Sequence, residues 1–205
     1  MLATCIFHAF LFYGLVVPHT IEALLPAGPL KRMTAKDSKA NRTASCGTGH
    51  FRWNVKILED ADRAQVKTMA VQTTIEDLNA VPKPAEPYPH NKRIKPWELQ
   101  VYTVRARLKG VLPSRDGDIH LLLEDPAKPG EHIIAEIPAP ECVHDARQAE
   151  KYRAARTTVS ALKLNSVVEV TGVGFFDETT GLQFLKAKNG IELHPVFNIS
   201  AVRDK

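Results

Sequence analysis

The side chains able to do chemistry in this chain fall into a few closely spaced sets. Asp116-Gly117-Asp118 sets two carboxylates across one glycine, and His120 follows two residues later. Glu136 lies in a second β-rich run, HIIAEI, while Glu192 and His194 alternate in a third, IELHPV. Hard oxygens such as those of Asp116, Asp118 and Glu136 suit a calcium or magnesium ion, provided that several converge. A histidine near a glutamate, as in His120 with Glu136 or His194 with Glu192, can move a proton or bind a transition metal. Asp116, Asp118, His120 and Glu136 are thus the catalytic candidates, with Asp116, Asp118 and Glu136 as ligands of a divalent Ca or Mg ion. Arg105, Arg107, His120, Arg147, Glu192 and His194 are the binding candidates. The plainer expectation is a polar turn and local ion pairs that hold strands together, since Asp-Gly-Asp turns are common. No phosphate loop, nucleophile elbow, paired CxxC or HExxH accompanies these residues, so no complete catalytic set is present.

Five β-rich runs must position them. Residues 98–111 read as one long strand in which Tyr102, Val104, Ala106 and Leu108 alternate with Thr103, Arg105 and Arg107. Residues 119–124 and 132–137 follow as strands two and three. An alanine-rich helix is predicted over 146–162, with Arg147, Lys151, Arg153 and Arg156 on or near one side. Strands four and five are expected over 167–176 and 191–199, the former broken by Gly172 and Gly174, where glycine lets a strand bend sharply. A two-residue hairpin at Asn189-Gly190 would mix the faces, so a looser connection is expected there. Strand, strand, strand, helix, strand, strand is the order of an OB-like five-stranded barrel, mainly β with one or two helices. An irregular β-sandwich with one helix is the alternative. Matching apolar to apolar residues across strands two and three sets Ile119 opposite Ile137 and His120 directly opposite Glu136, with Asp118 one pleat away on the same face.

The segments before the barrel read differently. Residues 5–17 are nearly all apolar, long enough for the core of a secretory signal and short for a membrane span. A signal peptide over 1–23 is expected, although no positive charge precedes the run; a retained anchor or a displaced start are the alternatives. Residues 24–50 lack apolar periodicity and read as a disordered arm. Residues 51–96 are expected to form an extended N-terminal segment: a short strand or docking stretch at 51–58, a short helix capped by Thr73 or Thr74, and a proline-rich connector that wraps the domain. The domain proper spans 97–205. Loss of Cys5 with the signal leaves Cys46 and Cys142, an even pair that predicts one disulfide in an oxidising compartment. Asn41-Arg-Thr43 and Asn198-Ile-Ser200 match the glycosylation pattern. The 205 residues carry a formal charge of +4, with charged residues at 24% and aromatics at 7%, ordinary values that do not announce nucleic acid. Trp53, Trp97, Tyr102, Phe175 and Phe176 lie mostly outside strands two and three, so core packing is expected rather than base stacking.

The segments Cys46-Gly47 with RWNVK, TTIEDL, DGDIHLLLEDP, IIAEIPAPECV, GVGFFD and NGIELHPV resemble a family of exported, mostly bacterial proteins of unknown function. That resemblance runs from Cys46 to the C-terminus and implies export without implying an activity. The family pattern has a His-Gly pair after GVGFFD, where this chain has Thr180-Gly181. A second resemblance is to thermonuclease-like OB domains. It implies calcium held by the Asp116-Gly117-Asp118 turn with Glu136 or Glu141, and Arg147 or Arg107 against a phosphate. The departure is HIIAEI, which lacks the arginine of that family's third strand. Together these readings predict a secreted or periplasmic OB-like binding module for an anionic polymer (nucleic acid or acidic glycan) or a protein partner. No stable membrane span is expected after signal removal, and no firm cofactor beyond the possible divalent cation. The competing reading is a metal-dependent phosphodiesterase or nuclease using Asp116, Asp118 and Glu136.

Overall fold

The computed structural model describes residues 46–47, 51–178 and 186–202. The predicted signal peptide and arm, Asn41 and the Thr180-Gly181 pair lie outside the described residues, apart from Cys46 and Gly47. Among the described residues six strands occur: β1 (Ala70–Thr73), β2 (Val101–Pro113), β3 (Ile119–Glu124), β4 (His132–Ile137), β5 (Val167–Phe176) and β6 (Ile191–Ala201). The helices are α1 (Trp53–Lys56), α2 (Ile75–Asn79) and α3 (Ala146–Ala161). Strands β2 to β6 close in the order β2-β3-β4-β6-β5, with β5 returning to β2. All the barrel pairings are antiparallel except β4 with β6. This is the OB-type barrel expected from the order of elements.

Closure needs strands that bend, and the sequence supplies the means. A register shift between Leu108 and Gly110 lets β2 leave β5 and pair with β3. Two further shifts fall at Gly172 and Gly174. A Cβ at Gly174 would lie 2.6 Å from the Trp97 carbonyl oxygen, and one at Gly172 would lie 2.9 Å from that of Pro195. Backbone passes where a side chain would stand, which is why both positions are glycine.

The barrel interior is apolar: Val104, Ala106, Leu108, Leu121, Leu123, Ile133, Ala135, Val168, Val170 and Leu193 are buried in one cluster. Asp145 caps α3 by accepting the Arg147 and Gln148 N–H groups, and Ala149, Tyr152, Ala155 and Val159 form its buried stripe. The β3–β4 register is the predicted one, Ile119 with Ile137 through Leu123 with Ile133, and His120 opposite Glu136. The connection from Phe176 to Ile191 is not a two-residue turn, because Phe176 itself pairs with Ile191. Its last residues are anchored by Asn189, whose amide donates to the Leu78 and Val81 carbonyls while its oxygen accepts the Ile191 N–H.

Two local expectations are corrected, and one strand is added that the sequence did not announce. Residues 51–58 form the helical turn α1 and not a strand, with Arg52 leading in at φ 49°. Trp97–Leu99 is a 3-10 turn, so the long strand begins at Val101 rather than at 98. Glu98 is drawn inward there, accepting from Arg52, Ile94 N–H and Phe176 N–H. Finally, β1 has no periodic apolar signal, and only its parallel pairing with β2 makes it a strand. Helix α2 does start as expected, with Thr74 and Asp77 forming a reciprocal capping box.

The segment from Arg52 to Glu98 straps the barrel: Ile75, Leu78, Val81 and Tyr88 join the interior cluster, while Lys56 reaches Glu136 and Phe175 on the other face of the strands. Leu122, Ile134, Glu136, Phe175, Glu192 and His194 alternate with the interior residues, yet all are buried as well. Cys46 and Cys142 are bonded, with Cα atoms 5.2 Å apart, tying the chain ahead of the strap to the turn after β4. Among the described residues no helix is long and apolar enough to cross a membrane.

Candidate functional site

Two buried ionic groups sit beneath the strap. In the first, Arg52 spends all five of its N–H donors: on both oxygens of Glu98 and on the carbonyls of Pro89, Lys92 and Phe176. Arg93 does much the same, donating to Asp60 and to the carbonyls of Val55 and Glu98. These pairs clamp the strap to itself and to the end of β5. They leave no buried polar atom without a partner.

The second group is built by β3, β4 and β6. Asp118 stands at the mouth of β3, His120 and Glu136 oppose one another across β3 and β4, and Glu192 and His194 share one face of β6. His194 lies between two carboxylates, with Nε2 3.3 Å from Asp118 Oδ2 and Nδ1 3.0 Å from Glu136 Oε2. His120 Nε2 approaches the other Glu136 oxygen at 3.2 Å. From the strap, Lys56 places its ammonium 3.6 Å from Glu136 Oε2. Beyond it Lys186 lies 2.6 Å from Asp177 Oδ2 and 3.4 Å from Glu192 Oε1. Asp118, Glu192 and His194 are fully buried and Glu136 is 2% exposed, whereas the His120 side chain is 25% exposed and marks the edge of the group.

Burial and mutual charge set the protonation pattern. Burial alone would raise the Glu136 carboxyl, but Lys56, His120 and His194 around it hold it well below the usual carboxylate range. Burial, then the nearby charges of Glu136 and Asp177, pushes Glu192 well above that range. His194 would be lowered by burial, yet the Glu136 charge and the close approach of the Asp118 and Glu136 carboxylates outweigh this and raise it to about 9. Lys56 is treated alike: desolvation opposes its charge, and Glu136, Asp177, Glu192 and Asp118 more than restore it.

The site residues expected from sequence are only partly brought together. Asp118, Glu136 and His194 each offer a ligand atom within 4.8 Å of the others. Asp116 is not in that set; its carboxylate is turned back to accept the Asp118 N–H within the turn. The residues that converge closely enough to hold a metal ion are therefore Asp118, Glu136 and His194, and not Asp116, Asp118 and Glu136. Glu192 and His120 flank it. Arg105, Arg107 and Arg147 do not contact it: Arg105 and Arg107 alternate on the outward side of β2, Arg107 bonding the Asn165 carbonyl, and Arg147 is exposed on the first turn of α3. Arg156 turns inward instead, donating to the Gly117 and Pro138 carbonyls that flank the acids. Phe175 and Phe176 are fully buried and Tyr102 nearly so, in keeping with packing roles. The residue that sequence reasoning missed is Lys56. It lies in RWNVK, far from the barrel strands in sequence, and only its place between apolar Val55 and Ile57 hinted that it faces inward.

No family model matches the chain, and no curated protein matches it. Among solved structures, an aspartyl-tRNA synthetase-like chain from Leishmania major Friedlin is similar over 68% of this chain and 22% of its own length. The identity is 14% and the TM-score 0.43.

Proposed function

We propose that this chain is an exported, disulfide-tied OB-like binding module without a catalytic role, whose ligand is an anionic polymer. The observation that carries this reading is where the two kinds of charge lie. The acids able to hold a catalytic ion are sealed beneath the chain's own strap, while basic side chains face solvent. Arg147, Lys151 and Arg153 are exposed on α3, and Arg105 is exposed on β2. A phosphodiester needs to reach Asp118 and Glu136 to be cut, and neither is open to it. Residues 46–202 carry equal numbers of basic and acidic residues; the net positive charge comes from residues before 46 and after 202. Affinity for a polyanion must therefore come from local patches such as α3 and from those flanking segments. Export is supported by the Cys46–Cys142 disulfide, a bond that persists in oxidising compartments.

Filter binding with single-stranded DNA and with an acidic glycan, at two salt concentrations, tests the proposal. Binding that weakens steeply with salt is expected, and Arg147→Glu with Lys151→Glu should weaken it. Absence of salt-sensitive binding to either polymer removes the polyanion reading and leaves a protein partner as the ligand class. The competing phosphodiesterase reading rests on the convergence of Asp118 and Glu136. Chelator-sensitive DNA cleavage, lost in Asp118→Ala, would establish it in place of the binding module.

A further inference from the structure

Buried polar atoms in folded proteins are almost always hydrogen-bonded, so a group of orphans calls for a ligand. Here the orphans are concentrated. Asp118 Oδ2, His120 Nε2, Glu136 Oε2, both Glu192 oxygens and both His194 ring nitrogens are buried without a hydrogen bond. The approaches among them are short, 3.0 to 3.3 Å, yet none meets hydrogen-bond geometry. The Arg52–Glu98 and Arg93–Asp60 pairs, buried in the same layer, have no such orphans.

We propose that Asp118, Glu136 and His194, bordered by His120 and Glu192, form a buried site for one divalent transition-metal ion of the zinc class. Imidazole nitrogen with carboxylate oxygens is a donor set that zinc, cobalt and manganese accept. Three ligands from three neighbouring strands are held on rigid backbone. Their second contacts are in place too. Asp118 Oδ1 is fixed by the Ala139 N–H at 3.0 Å, which leaves Oδ2 as the ligand atom. Arg156 ties together the Gly117 and Pro138 carbonyls on either side of that contact. His120, partly exposed, lies on the side from which an ion can enter. Lys56 is the competitor. Its ammonium lies 3.6 Å from the same Glu136 oxygen that an ion would bind. The site thus couples the metal to the strap that carries Lys56. This proposal is independent of the binding reading above, because it concerns residues that the polymer does not touch.

The test is metal uptake by the untagged, disulfide-bonded chain after chelator treatment and dialysis, measured by elemental analysis with Zn2+, Mn2+ and Co2+. One equivalent of zinc or cobalt is expected, with a Co2+ absorption spectrum showing nitrogen ligation and a thermal midpoint raised by the metal. Asp118→Asn should weaken binding about tenfold or more. His194→Ala should abolish it, while Lys56→Met should tighten it. His144→Ala, which alters the exposed His144–Glu59 pair, should change nothing. Circular dichroism checks each variant for folding; if His194→Ala does not fold, Asp118→Asn and the wild-type cobalt spectrum decide. Failure of the wild type to take up any of the three ions overturns the proposal, as does uptake unchanged by Asp118→Asn.

Discussion

Two ionic groups lie under one strap and differ in how their polar atoms are served. Around Arg52 and Arg93 every donor and acceptor is matched, and the left-handed backbone of Arg52 is held by five hydrogen bonds from its own side chain. Around His194, distances are short but partners are lacking, and Glu192 is buried with no hydrogen bond at all. Burying a charge is costly in both places. In the first, the cost is met by geometry and the result is a clamp. In the second it is not met by the protein alone. Burial by itself therefore does not separate structure from site; satisfaction does.

The strap's covalent tether is the strongest way to disturb the comparison. Cys142→Ser opens a loop spanning a sequence separation of 96. The loss should be about 4–5 kcal/mol in the chain-entropy model, read as a fall in denaturant midpoint with the clamp still intact. A loss under about 1 kcal/mol would mean that the clamp alone seats the strap.

Arg52→Ala comes next. Stranding Glu98 in a dry layer should cost about 3–5 kcal/mol by chemical unfolding. The double variant Arg52→Met with Glu98→Leu should recover much of that, since it removes both charges. Equal losses in single and double variants would break the description of the clamp as a matched pair.

Titration sharpens the contrast on the other side. In chelator, His194 is raised to about 9 from an ordinary 6.5, so its contribution is complete below about pH 6.5 and is lost as the pH climbs through 9. That contribution is on the order of 3 kcal/mol. Glu192, whose carboxyl is raised by burial and by Glu136, acts in the same direction as the pH rises. Glu136, held ionised, is lost in the opposite direction as acid falls below its ordinary value of 4.5. Thermal midpoints should therefore decline from pH 6.5 to 9, and His194→Gln should flatten that decline. An unchanged slope in the variant would show that His194 is not the group responsible.

The smallest effect has the opposite sign. Glu192→Leu removes an unserved carboxyl while Lys186 keeps Asp177, so metal-free stability should rise by about 1–2 kcal/mol. Destabilisation instead would mean that the Lys186 ammonium, 3.4 Å from Glu192 Oε1, serves this carboxyl well enough to hold the fold, and the contrast with the clamp would fail.

Much of this was legible in the chain. The alternation in ELQVYTVRARLKGV, IHLLLE and HIIAEI has a period of two, and a slip of one residue would have put apolar side chains on the wrong face. That is why the β3–β4 register, with His120 opposite Glu136, could be read before any coordinates. The glycines of VTGVGFF and the alanine-rich stretch after residue 145 did the same for the bend and the helix. The even cysteine pair indicated the tether. What the sequence could not determine is what covers the outer face of those strands. A half-polar face such as that of His120, Glu136, Glu192 and His194 reads as solvent-facing, because local pattern reports alternation and not the neighbour across it. Only the tertiary fold brings Arg52, Lys56 and Glu98 over that face, across 78 residues between Glu98 and Phe176 alone. That covering turns a surface salt bridge into a buried ionic layer, in which His194 and not Asp116 converges with Asp118 and Glu136. Charges acquire chemistry from the solvent they lose, and the loss is decided by segments distant in sequence.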